Sequence, residues 1–160
     1  MLARRAHRHL AGMLRLVHPR GLTLLEMAVA LALAAVLASV AYPSWREQLL
    51  KGRRMDARSA LASLQLAQER YRSVQGRYAD HTAQLGHPSQ SPAAHYLLSI
   101  EQADRTGYTL VATARSGSPQ EGDRACARIA LVMQAGASVE MAAAEGQALE
   151  PYSSRRCWAP

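Results

Sequence analysis

The run from Met27 to Tyr42 carries no charged residue, and a single carboxylate, Glu26, stands at its N-terminal edge. A helix over Leu22 to Tyr42 has 21 residues, enough at about 1.5 Å each to cross roughly 30 Å of hydrocarbon. An acidic side chain in such a helix is costly, about 2.5–3.5 kcal/mol for an Asp at the bilayer centre, so Glu26 needs a partner. The preceding residues, Arg20-Gly21-Leu22-Thr23-Leu24-Leu25, offer one. A cut after Gly21 would leave an α-ammonium on Leu22, about one helical turn from Glu26. In a stack of staggered helices, the ammonium of one copy would face the carboxylate of its neighbour, and each charge would offset the burial cost of the other.

Two other readings compete. In a secretory signal peptide, Arg4 to Arg20 would be the basic region, Met27 to Leu37 the apolar region and Ser39-Val40-Ala41 the cleavage site. Glu26 then sits where an acid weakens the pattern and has no use. In a plain single-span anchor, the same 21 residues cross the bilayer uncut, and Glu26 is again unexplained.

The Gly21 to Glu26 stretch resembles the processing site of type IV prepilins. That resemblance implies that residues 1–21 are a leader removed by a prepilin peptidase, which also methylates the new terminal residue, Leu22. It implies that Glu26 guides subunit assembly and that Pro43 is the proline common in the first helix of the family. Leu22 departs from the aromatic residue usual after the cut. Met13 to Gly21 alone would make a leader of ordinary length, which makes Met13 a candidate start.

The net charge of +7 invites a polyanion-binding reading until it is divided at Gly21. Arg4, Arg5, Arg8, Arg15 and Arg20 belong to the leader, which has no acidic residue, so the remainder carries only +2. The leader's charge fits retention of the N-terminus on the cytoplasmic side. With no Phe, two Trp and an apolar helix committed elsewhere, little more than half of the 160 residues is left for a core. Cys126 and Cys157 would pair in an oxidising compartment, closing a loop of about 31 residues for roughly 3–4 kcal/mol. The alternative is two separate buried thiols.

From Ser44 to Val74, Ala57, Leu61, Leu64, Ala67 and Tyr71 recur every three or four residues, the spacing of an amphipathic helix. Arg58, Ser59, Ser63, Glu69, Arg70 and Ser73 fall on its far side, with Leu66 the exception. The reading is one helix from about Thr23 to Val74, with a kink or local melting at Pro43, a second weak point at Gly52 and a left-handed terminator at Gly76. Arg77 to Ala94 reads as a loop. The period then becomes two. Strands are expected over His95 to Glu101, Tyr108 to Ala114, Ala125 to Met133 and, more briefly, Ser138 to Ala142, joined by turns at Asp104 to Gly107, Ser116 to Gly122 and Gln134 to Ala137. The sheet would be an antiparallel meander.

This order is again similar to type IV pilins. His95-Tyr96, Tyr108-Thr109-Leu110-Val111-Ala112-Thr113-Ala114, and Asp123-Arg124-Ala125-Cys126 with Cys157-Trp158 resemble the minor pilins called PilE-like. The implied fold is α+β: a long N-terminal helix on an antiparallel sheet of about four strands, with a disulfide-closed C-terminal region. The implied division is a leader at 1–21, a transmembrane and polymerisation half at 22–42, an amphipathic half at 43–75 and a head at 76–160. Membership implies a structural subunit of a pilus, first single-pass in the inner membrane with its head in the periplasm, later in an extracellular filament. Its partners would be other pilins, the prepilin peptidase and methyltransferase, and the assembly platform. Pilus biogenesis, twitching motility, adhesion and DNA uptake are the associated roles. The alternatives are a DNA-binding minor pilin for competence, a pseudopilin of type II secretion and a separately secreted domain.

No GxSxG, HExxH or phosphate loop points to catalysis, and no cofactor is implied. His81, His87 and His95 would have to converge to hold a metal, and solvated loop histidines are the simpler account. Arg53, Arg54 and Arg58, with Arg124, Arg128, Arg155 and Arg156 near the cysteines, could line a groove for DNA phosphates. The competing account is that Arg is the general surface cation, since Lys51 is the single lysine.

Overall fold

The computed structural model describes residues 23–159. The expected cleavage and methylation positions, Gly21 and Leu22, lie outside them. Helix α1 spans Leu24–Gln75. Thr23 starts it: its Oγ1 accepts the Glu26 N–H at 3.2 Å, and its carbonyl accepts the Met27 N–H at 3.1 Å. Gly76 ends it with φ +70°, a left-handed conformation that costs glycine little. The helix is unbroken at Pro43, so the melting expected from one missing donor is not seen.

The chain divides into two units, one ending at Ala41 and one running from Tyr42 to Pro160. In the first, every residue from Leu24 to Ala41 is exposed, and the helix is long and apolar enough to cross a membrane. The second unit contains a four-stranded antiparallel sheet in chain order: β1 (Tyr96–Glu101), β2 (Gly107–Ala114), β3 (Arg128–Gln134) and β4 (Ala137–Ala143). A short helix, α2 (Pro151–Trp158), follows. This is the α+β meander expected from the sequence.

Alternation sets the register. Leu98, Ala112, Ile129 and Ala142 stand in one row across the sheet, and Ile100, Leu110 and Leu131 in the next. Their inner face meets Ala57, Ala60, Leu61 and Leu64 of α1 in one core, and Tyr78 packs edge-on to Tyr108 with ring centroids 4.6 Å apart. Gly107 opens β2 because nothing larger fits: a Cβ there would come within 2.2 Å of the Met133 carbonyl oxygen. Ala135 and Gly136, both at positive φ, form the two-residue turn between β3 and β4.

Three details differ from the expected pattern. Strand β3 begins at Arg128 rather than Ala125, because Arg124–Cys126 winds into a 3-10 turn in which the Asp123 carbonyl accepts the Cys126 N–H at 3.0 Å. The long loop contains a 3-10 turn, Thr82–Leu85, closed by Gly86 at φ +62°. On α1, Ala67 and Tyr71 are only half-buried, while Arg54 and Gln68 lie in the interior. Gln68 is held like a strand neighbour: its Nε2 donates to the Ala79 carbonyl at 2.7 Å, and its Oε1 accepts the Ala79 N–H at 2.8 Å. Asp56 pins the same connection further on, accepting from the Ser91 hydroxyl and the Ala93 N–H.

Candidate functional site

At the start of α1, Glu26 is the third helical residue, and Thr23 and Glu26 have the spacing of a capping box. The Thr23 side chain satisfies one of the first free N–H groups, and the Glu26 carboxylate complements the positive end of the helix, typically for about 0.3–1 kcal/mol. The Thr-x-x-Glu signal was readable in the sequence beside the charge-pairing argument, which does not use it.

At the other end of the chain, Cys126 and Cys157 form a disulfide with Cα atoms 5.6 Å apart. It fastens the turn before β3 to α2. Trp158, the next residue, is buried and donates its indole N–H to the Met141 carbonyl at 3.0 Å. The α2 helix was not foreseen, because eight residues are too few to show a period; Pro151 in its first turn is the one local signal.

The seven arginines read as a phosphate groove divide into three kinds. Arg54 is not on the surface at all: it is 5 % exposed. Its Nε and Nη2 donate to the Asp123 carboxylate at 2.6 and 2.9 Å, and its Nη1 donates to the Arg156 carbonyl at 3.1 Å. Arg128 and Arg124 are paired with carboxylates, Arg128 with Glu101 at 3.1 Å and Arg124 with Glu145 at 3.4 Å. The first pair spans the outer face of the sheet. Arg128 lies opposite Thr113 and Glu101 opposite Thr109, so the bridge passes over Val111, which is fully buried on that face. Arg53, Arg58, Arg155 and Arg156 make no ion pair among the described residues.

The segments that carry these last four meet. Arg54 touching the Arg156 carbonyl places the Arg53–Arg58 turn of α1 beside α2, and the Arg58 guanidinium lies 5.6 Å from the Trp158 ring centroid. Arg53 donates to the Pro119 carbonyl at 3.4 Å, so the β2–β3 loop borders the same seam. Arg46, two turns before Arg53, also meets this loop: its Nη2 would lie 3.4 Å from a Cβ at Gly122. Charge counting along the chain missed Arg46, which lies outside the amphipathic stripe.

Under the seam is a polar node. Asp123 also accepts from Gln120 Nε2 at 2.7 Å, and Gln120 Nε2 reaches the Leu50 carbonyl at 3.4 Å. The Tyr96 hydroxyl is buried against it, beside Gln120 and Asp123. Burial, reinforced by the Asp123 charge, pushes that hydroxyl far above the ordinary tyrosine range.

His87 does other work. His87 Nε2 lies 2.7 Å from Ser63 Oγ and its Nδ1 3.0 Å from the Pro88 carbonyl, which fastens the loop to α1. Among the described residues, no three His, Cys, Asp or Glu side chains approach as a metal site.

Comparison with known proteins accounts for this architecture. Residues 18–42 match the prokaryotic N-terminal methylation motif. The chain is 27 % identical over 95 residues to the type IV major pilin protein PilA of Myxococcus xanthus, an overlap of 59 % of this chain and 38 % of that protein. The chain therefore spans well under half the length of that relative. Residues 43–130, more than half of the chain, match the family described as type IV minor pilin ComP, DNA uptake sequence receptor, and the chain belongs to that family of structural pilins, which are not enzymes.

Proposed function

We propose that this minor pilin captures duplex DNA through the seam between α1 and α2. The supporting observation is that the two helical segments carrying four arginines without an ion pair among the described residues, Arg53, Arg58, Arg155 and Arg156, meet there. Guanidinium groups carried on two adjoining helices suit the spaced phosphates of a nucleic-acid strand. The family's description as DNA uptake sequence receptor favours this reading over adhesion or secretion.

The test is fluorescence anisotropy of a labelled duplex with the full mature chain in detergent, across a salt series. If all four arginines meet phosphates, log affinity should fall against log salt with a slope of roughly −3.6. Arg155→Ala/Arg156→Ala should reduce the magnitude of that slope by roughly 2. Absence of binding at low salt would end the proposal.

The same reading includes maturation. The leader is cut after Gly21, Leu22 is methylated, and the chain waits in the inner membrane until Glu26 pairs with a neighbour's terminus and the subunit enters a filament, on the assembly platform, with its head outside. The methylation motif over residues 18–42 supports this route. The mass of the mature chain should begin at methylated Leu22. Glu26→Ala should be cleaved normally yet assemble poorly, and normal filaments from that variant would refute the pairing.

A further inference from the structure

Arg54 joins three segments that lie far apart in the sequence. Two of its nitrogens hold Asp123, 69 residues away, and the third holds the carbonyl of Arg156, 102 residues away. Asp123 lies three residues before Cys126, and Arg156 one residue before Cys157. The guanidinium and the disulfide therefore fasten the same two segments, the β2–β3 loop and α2, side by side.

The carbonyl of Arg156 belongs to the last turn of α2, where carbonyls lack a donor from within the helix. The neighbouring Arg155 carbonyl receives the Ala159 N–H at 3.2 Å, and that of Arg156 receives Arg54. A cation placed there also opposes the negative end of the helix dipole. One planar group thus neutralises a buried carboxylate and caps a helix. A lysine has the charge but cannot span both partners.

We propose that Arg54 and Asp123 are positioning residues for DNA capture: they touch no DNA, and they hold α2, with Arg155 and Arg156, against the stretch of α1 that carries Arg53 and Arg58. The proposal rests on the DNA reading of the seam. It reverses the sign that charge counting gives to Asp123. If the surface acted only through net charge, removing this carboxylate would tighten binding. If the carboxylate orients Arg54, and Arg54 orients α2, removing it weakens binding.

Two measurements on the full mature chain in detergent decide it: hydrogen exchange of the α2 amides, and anisotropy with the labelled duplex. Arg54→Lys, which keeps the charge, should speed α2 exchange roughly tenfold, as loss of one charge-assisted hydrogen bond implies. Asp123→Asn should raise the dissociation constant for DNA at least about threefold, with the head still folded by circular dichroism, against the tightening expected from its charge. Replacing both partners, Arg54→Met/Asp123→Leu, should keep the fold and still lose α2 protection, which separates the tether from a cost of buried charge. Unchanged α2 exchange in Arg54→Lys, or binding in Asp123→Asn as tight as in the parent chain, overturns the proposal. If the parent chain binds no duplex, the DNA reading has failed, and the exchange data alone decide whether the tether exists.

Discussion

Two stretches of α1 invert the usual rule of burial. Leu24 and Val40, in the apolar half, are 88 % and 73 % exposed, whereas Arg54 and Gln68, in the mixed half, are 5 % and 0 % exposed. Hydrophobicity alone does not decide what a helix residue meets; the partners available to it do. The apolar half of α1 needs a lipid or a neighbouring helix for its apolar surface. The mixed half has a sheet over it, and its two interior polar side chains are acceptable because the fold returns Asp123, the Arg156 carbonyl and the Ala79 backbone to them.

The sharpest way to break this contrast is to leave the interior charge alone. Arg54→Met should destabilise the head by about 3–5 kcal/mol, because Asp123 would remain buried without its cation, and Arg54→Met/Asp123→Leu should recover most of that. Urea unfolding followed by tryptophan fluorescence gives both values; a single-substitution cost below about 1 kcal/mol would show that water reaches the node. The same substitution placed in each half comes next. Leu64→Ala, in the core, should cost about 2–5 kcal/mol, and Leu37→Ala less than about 0.5 kcal/mol of head stability. Equal costs would mean that the two halves do not behave as distinct environments.

The smallest effect is a pH response of the head alone. Burial is the first cause that raises the hydroxyl pKa of Tyr78, Tyr96 and Tyr108 above the ordinary tyrosine value of 10.0. Where the folded chain holds a proton that the unfolded chain releases, stability falls as pH rises. Full stability is therefore expected below pH 10.0, with a loss that deepens above it, and Tyr96→Phe should flatten the decline. Denaturation midpoints at pH 8 and 11 that coincide would contradict the burial of these hydroxyls.

Much of this was legible in the residues. The long apolar helix, the four strands, their order and the disulfide follow from runs, period-two alternation and two lone cysteines, all of which are local or compositional signals. Hidden were the features that depend on distant residues meeting. Arg54 read as a surface cation because Asp123 lies 69 residues away, and Gln68 gave no signal because Ala79 offers it a strand-like edge only after the chain turns back. The start of β3 slipped by three residues because Arg124–Cys126 winds into a 3-10 turn closed on the Asp123 carbonyl instead of continuing its own alternation.

The Gln68 hook bears on the order in which the head comes together. It closes a ring of 11 residues, against 69 for the Arg54 pair. Ring closure grows with the logarithm of length, so the short one costs roughly 1.6 kcal/mol less chain entropy. The polypeptide leaving α1 can thus be moored at Ala79 early, with the direction of its return already set when the first strands seek their neighbours and long before the C-terminal fasteners can engage.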